Sequence, residues 1–455
     1  VTSVLRRITP GLFGIVVAGS ILAGCASDGP VDAIKDMNPF REEERLLPGE
    51  RKPVLTGTNP IAETTNQPAR VGPATPRTDW PQPGGPASND AGNVAASVSG
   101  GRAWSVKAGQ SEGSAAFGFG AGGIRLSARP VAAGGVAYTY DPSGNVAAIS
   151  LSNGGSVWRV SARPAGESKT INGGGVAVDG GRVFAATGFA EVVALDAATG
   201  ARVWATRLDA PTRGAPTAAA GKVFAVSQAG TVSAIDQATG AIAWTTSTTG
   251  RGTGLLSSSS PAVSGSIVVV PTSTGEVVAL DIATGTEKWA GSVIGGSRVA
   301  AVTGLQDASA SPVIADGVVY ATGVGGRTIA VRLDTGETVW QQTVGGAHTP
   351  VVSGNALFLV DLEDRLVAFD RANGKVLWAT TLPKPEKGRA SWAGPLLVDG
   401  RLWLVSRDGW LVSADATTGQ AGQATPLMPD GGISPVSAGG LILVLGPSGT
   451  LTAIR

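Results

Sequence analysis

Apolar residues in this chain fall in short runs, each followed by a polar turn and a tryptophan. Residues 277–289, VVALDIATGTEKW, are the cleanest copy of the unit. The alternation of small and branched apolar side chains in its first half predicts a strand with one buried face. Asp281 and the pair Thr284-Gly285 predict a turn, because a carboxylate accepts backbone N–H groups and glycine tolerates positive φ. Trp289 then falls on the returning strand, so the unit is a hairpin carrying a Trp. Further copies end at Trp158, Trp204, Trp244, Trp340 and Trp378; a seventh keeps Thr418-Gly419 but has Gln423 in place of the Trp. Each hairpin follows a second pattern, a proline, then a glycine and an apolar run. It starts at Pro130, Pro216, Pro261, Pro312, Pro350, Pro395 and Pro435, and a copy near Gly175 has glycine instead of proline.

The Trps recur at about 40–50 residues, a propeller spacing. A blade of four strands cannot bury both faces alone, so the copies must stack on one another. The last copy ends in GPSGTLTAIR, a third strand with no fourth after it. Residues 99–104, SGGRAW, keep the glycine-to-Trp spacing with no blade before them. The last blade is therefore expected to take its fourth strand, with Trp104, from the N-terminal side. The expected fold is all-β, an eight-bladed β-propeller of four-stranded antiparallel blades over residues 96–455, closed without free edges.

Ahead of it, Val1 is read as an alternative start codon. Arg6 and Arg7 precede an apolar run at 11–21 that is too short for a settled membrane span. Residues 1–24 read as a signal peptide, ending in Leu22-Ala23-Gly24-Cys25. That ending resembles the bacterial lipobox, which implies acylation of Cys25; an ordinary signal peptide with a chance cysteine is the alternative. Cys25 is the sole cysteine, so disulfides and thiolate metal sites are excluded. Ala26 rather than Asp after it implies, as in enteric lipoproteins, an outer-membrane anchor facing the periplasm. Residues 25–95 hold eleven prolines between Pro30 and Pro86. They read as an acylated N-terminus and flexible tether reaching on the order of 45 Å. Two islands, 38–55 and the WPQPGG of 80–85, are linker or docking segments. Removing residues 1–95 is expected to leave a folded domain.

Formal charge is +1 with no basic stripe, which argues against nucleic acid. The single His348, in GGAHTP, is expected to be a solvated loop residue. Asp196, Asp236, Asp281, Asp334, Asp370 and Asp415 fall at turn positions, where they have a structural task. Residues 257–260 lack a G-x-S-x-G elbow, and no acid pair stands apart as a calcium site. No catalytic residue, metal, cofactor or small-molecule substrate is expected.

The repeat A-x-D-x-x-T-G-x-x-x-W resembles the Trp-docking repeat of quinoprotein-type propellers. That resemblance implies that each Trp packs flat against the backbone of the neighbouring blade. Fold alone does not settle function. Quinoprotein alcohol dehydrogenases carry a disulfide between neighbouring cysteines, which this chain cannot form. A lipid-anchored propeller without a catalytic set is similar to the BamB family, and LPGERKPVL at 47–55, WPQPGG and the terminal SGTLTAIR resemble its α-proteobacterial members. The resemblance implies a non-catalytic scaffold of the outer-membrane β-barrel assembly machinery that binds a POTRA domain of BamA and other assembly subunits. It places the contact on loops of two adjacent middle blades. Here those are 304–312, with Asp307, and 250–261, with Leu255 and Leu256. The family's second Asp is Ser309 in this chain, and the family's Arg is Leu256, with Arg251 nearby as a substitute. Both loops precede proline-started strands, so they are expected on one rim, one blade apart. A ligand-binding or sensing propeller lipoprotein with another partner is the alternative.

Overall fold

The hairpin unit forms where expected, but its first strand is buried on both faces rather than one. In the fourth blade the strands are Ala262–Ser264, Ile267–Pro271, Glu276–Asp281 and Glu287–Ser292, paired antiparallel in that order. Val277, Val278, Ala279 and Leu280 are all buried. Successive side chains point to opposite faces, so both faces of this strand must be covered, and the flanking blades cover them. One-sided exposure appears only in the outermost strands, such as Arg202–Arg207, where exposed positions alternate with half-buried ones. The computed structural model describes residues 60–110, 128–248, 259–295, 308–384 and 391–455.

The turn closes as its residues dictate. Asp281 Oδ1 accepts the amides of Ala283 at 2.9 Å and Thr284 at 3.2 Å. Gly285 returns its N–H to the Asp281 carbonyl at 2.8 Å with φ of +73°. The register shifts by one between Ala279 and Leu280, and this bulge aims Trp289 at the next blade. Asp334 lies in its turn as expected, but two residues past the place Asp281 holds, so the carbonyl that takes the Gly336 amide is that of Arg332.

Eight such sheets follow one another. Their inner strands are Val131–Ala133, Gly174–Asp179, Thr217–Ala219, Ala262–Ser264, Val313–Ala315, Val351–Ser353, Trp392–Val398 and Val436–Ala438, which open blades 1 to 8. Each lies beside the next, and the last beside the first, so the circle closes. Blade 8 is completed by Arg102–Lys107, antiparallel to Thr450–Ile454, with Trp104 opposite Ala453. The expected closure is therefore present.

Tryptophans join the blades. Trp104, Trp158, Trp204, Trp244, Trp289 and Trp340 each donate the indole N–H to a carbonyl of the following blade at 2.7–3.0 Å. Each ring lies against that blade's turn glycine; a Cβ on Gly285 would sit 2.5 Å from Trp244 Cε3. Trp378 packs on Gly419 in the same way, but its indole nitrogen has no partner among the described residues. A second aromatic supports five of these Trps from the blade's second strand: Tyr138, Phe184, Phe224, Tyr320 and Phe358, at ring separations of 5.7–6.1 Å. Blade 7, which has Gln423 and an outer strand of only Thr425–Pro426, carries Trp403 at that second position. Trp403 reaches Gly100 beside the closing strand, so a larger residue on the inner side fills space the missing Trp leaves.

The expected tether is corrected from residue 60 onward. Residues 70–95 are a plug in the mouth of the ring, reached from 65–69, whose amides bond to Val376 and Leu377 of blade 6 and Thr417 of blade 7; Trp80 and Gln82 are buried. All eight blades donate at least one inner-edge backbone N–H to it. Going round from blade 8, Gly439, Ala132, Val178 and Ala218 donate to Thr78 O, Trp80 O, Pro81 O and Gln82 Oε1. Val263, Ile314, Asn355 and Asp399 donate to the carbonyls of Ala87, Ser88, Arg70 and Val94. Val94–Ala95 and Thr75–Pro76 extend blade 7 to six strands. The inner edges of a propeller need acceptors rather than apolar side chains, which is why a proline-rich segment can fill this place. Of the two islands, 80–85 docks on the folded domain, and 38–55 lies outside the described residues.

Candidate functional site

Up-and-down strands give each blade two ends. One end holds the turns between first and second and between third and fourth strands, and the plug bonds there. The other end holds the second-to-third turns and the connections from blade to blade. Residues 249–258 join Ile242–Ser247 to the inner strand of blade 4, and 296–307 join Glu287–Ser292 to that of blade 5. Arg251, Leu255, Leu256 and Asp307 lie in these connections, outside the described residues, as does Cys25.

The described ends of the two connections meet. The Ser260 N–H donates to Ser311 Oγ at 2.9 Å, and the two hydroxyls are 3.3 Å apart. The Ala308 N–H donates to the Thr272 carbonyl, in the second-to-third turn of blade 4, at 3.1 Å. Ser309, which stands where the family's second Asp would be, is buried, and its hydroxyl has no partner among the described residues.

The same end of the ring carries a polar cluster about the axis. Each member precedes the proline that starts an inner strand, or stands one residue further back. The Ser311 N–H donates to Thr349 Oγ1 at 3.3 Å, and Arg129 Nη2 donates to the same oxygen at 2.9 Å. Arg129 comes from blade 1 and Thr349 from blade 6, so the guanidinium spans the axis. Its Nη1 lies 3.4 Å from the Pro83 carbonyl of the plug. Ser434 Oγ is 3.5 Å from His348 Nδ1. His348 is not the solvated loop residue expected from sequence: desolvation and, second, the charge of Arg129 push its pKa down to about 4. Burial lowers Arg129 to about 10, which leaves it cationic at neutral pH. The signal for this cluster was the residue before each recurrent proline, which the repeat pattern masks because it varies from blade to blade.

The turn acids serve the fold. Hydrogen bonds from the Thr199 hydroxyl and amide hold the Asp196 carboxyl below its ordinary value. Thr239 does the same for Asp236, and the Ala283 amide for Asp281. Among the described residues no three His, Cys, Asp or Glu side chains converge to hold a metal ion. No helix there is long and apolar enough to cross a membrane.

Comparison with known proteins agrees with this geometry. The sequence model of the family described as "Outer membrane protein assembly factor BamB" matches residues 142–380 and 330–455. The outer membrane protein assembly factor BamB of Shigella dysenteriae is 31% identical over 352 residues, spanning 75% of this chain and 87% of the relative. Among solved structures, BamB from Moraxella catarrhalis superposes with a TM-score of 0.63 at 19% identity, over 78% of this chain and 99% of that one. A europium-containing methanol dehydrogenase superposes equally well, with a TM-score of 0.64 at 15% identity over 83% of this chain and 89% of that one. The two superpositions share a fold and leave chemistry open; in sequence, the quinoprotein alcohol dehydrogenase PedH of Pseudomonas putida is 33% identical but over only 20% of this chain, against 75% for BamB. The chain belongs to the BamB family of outer membrane protein assembly factors.

Proposed function

We propose that this chain is a non-catalytic scaffold subunit of the machinery that assembles outer-membrane β-barrel proteins. It holds a POTRA domain of BamA through 249–258 and 296–307, and acylated Cys25 keeps it on the periplasmic side of the outer membrane. What supports the docking surface most directly is the pairing of Ser260 with Ser311. It ties the ends of the two connections together on the end of the ring that the plug leaves free. Leu255 and Leu256 offer an apolar centre, with Arg251 and Asp307 as flanking charges, a combination suited to a small interface. Loops are free to carry such residues because the blades supply the core.

Recovery of the acylated chain from a mild-detergent extract, with its partners identified, tests the role. BamA and other assembly subunits are expected with it. Recovery with an unrelated envelope protein and no BamA would replace the scaffold with a sensing propeller. Cys25→Ser is expected to leave the precursor unprocessed or misplaced; a variant that matures and fractionates with the outer membrane would refute the anchor.

A further inference from the structure

The axis of the ring carries a cation that nothing on the described chain neutralises. Burial is the one influence acting on Arg129, with no carboxylate contributing. A guanidinium has five N–H donors, and among the described residues two are used, one of them on the long 3.4 Å contact to Pro83. Buried charges in proteins are ordinarily paired, because desolvating an ion without a counter-charge is costly. The side chains around it are donors or neutral groups: the hydroxyls of Thr349 and Ser434 and the uncharged imidazole of His348. Arg129 and His348 are packed among protein groups yet keep some accessible surface.

We propose that this axial cluster is an anion-binding site, in which the Arg129 guanidinium, with His348, Thr349 and Ser434, takes a small oxyanion, a carboxylate or phosphate group. A planar guanidinium fork suits two oxygens of either group, and hydroxyl donors complete the shell. The ligand supplies the charge that the described chain lacks.

His348 is the only histidine in the chain, so its imidazole gives one set of NMR signals, next to the site. On the full chain, those signals are followed against pH in sodium chloride, inorganic phosphate and sodium acetate at matched ionic strength. A bound anion offsets the Arg129 charge, so the His348 midpoint is expected to rise by about 0.5 unit or more, saturably, in phosphate or acetate and not in chloride. Response to phosphate alone assigns the site to a phosphoryl group, and response to acetate alone to a carboxylate. In Arg129→Gln the midpoint is expected to start higher and to ignore both anions, whereas Arg129→Lys keeps the charge but loses the fork and binds more weakly. Thermal unfolding distinguishes a purely structural Arg129, for which phosphate and acetate leave the wild-type Tm unchanged and Arg129→Gln lowers it. That result, or a wild-type His348 midpoint equal in all three salts, overturns the proposal.

Discussion

Each glycine of the turns between third and fourth strands that meets a Trp is held by two constraints, and Gly285 shows both. Its φ is +73°, and a Cβ would lie 2.5 Å from Trp244 Cε3. Gly265, with φ of +57° and nothing within 4 Å, has only the first. Gly285→Ala is expected to cost about 2–4 kcal/mol, from backbone strain plus overpacking, and Gly265→Ala about 1–2 kcal/mol. Equal shifts in urea midpoint would mean that the Trp–glycine contact does not matter. His348 sets a pH dependence of known sign. Its folded pKa of about 4 lies below the ordinary 6.5, so the unfolded chain takes up the proton first. Stability is present above pH 6.5 and is lost as pH falls from 6.5 toward 4, by at most roughly 3 kcal/mol. His348→Gln should flatten that slope in a series of thermal melts. The turn residues were legible in sequence because local geometry alone demands Asp, Thr and Gly. The environment of His348 was not, since burial comes from blades far apart in the chain.

At the scale of elements, the hairpin was legible because it recurs, and the closing strand because 99–104 kept the spacing of a hairpin without its first half. The aromatic on the second strand escaped notice, as it alternates among Tyr, Phe and Trp and is Val269 in blade 4. The plug was misread for a physical reason. It is held mainly by backbone hydrogen bonds to eight separate blades, which leaves almost no periodic apolar pattern. Cutting at residue 95, expected from sequence to be harmless, removes every one of these bonds and the buried Trp80. Loss of one large buried aromatic alone costs about 3 kcal/mol or more, against a total stability of roughly 5–15 kcal/mol. A chain of 96–455 is therefore expected to unfold at clearly lower urea than one of 60–455. Coincident midpoints would show that the plug contributes nothing. Removal of the closing strand as well, in a chain of 110–455, is expected to abolish the cooperative transition.

At the scale of the whole molecule, the ring has one end stopped by its own N-terminal segment, and the plug does not cover the other. The blade-to-blade connections are on the free end, the two loops expected to bind BamA among them. Family membership was legible from the repeat and the terminal motifs taken together, whereas the docking residues rest on a partial motif. The central claim is that this end of the ring docks on BamA, and binding of purified BamA POTRA domains by the full chain tests it most directly. Leu255→Ala with Asp307→Ala is expected to weaken that binding about tenfold or more, as loss of an interface anchor does. Thermal unfolding should barely move, since loop changes seldom exceed about 0.5 kcal/mol. Unchanged affinity in the double variant, with the wild-type chain binding well, would contradict the claim and move the interface elsewhere on the ring.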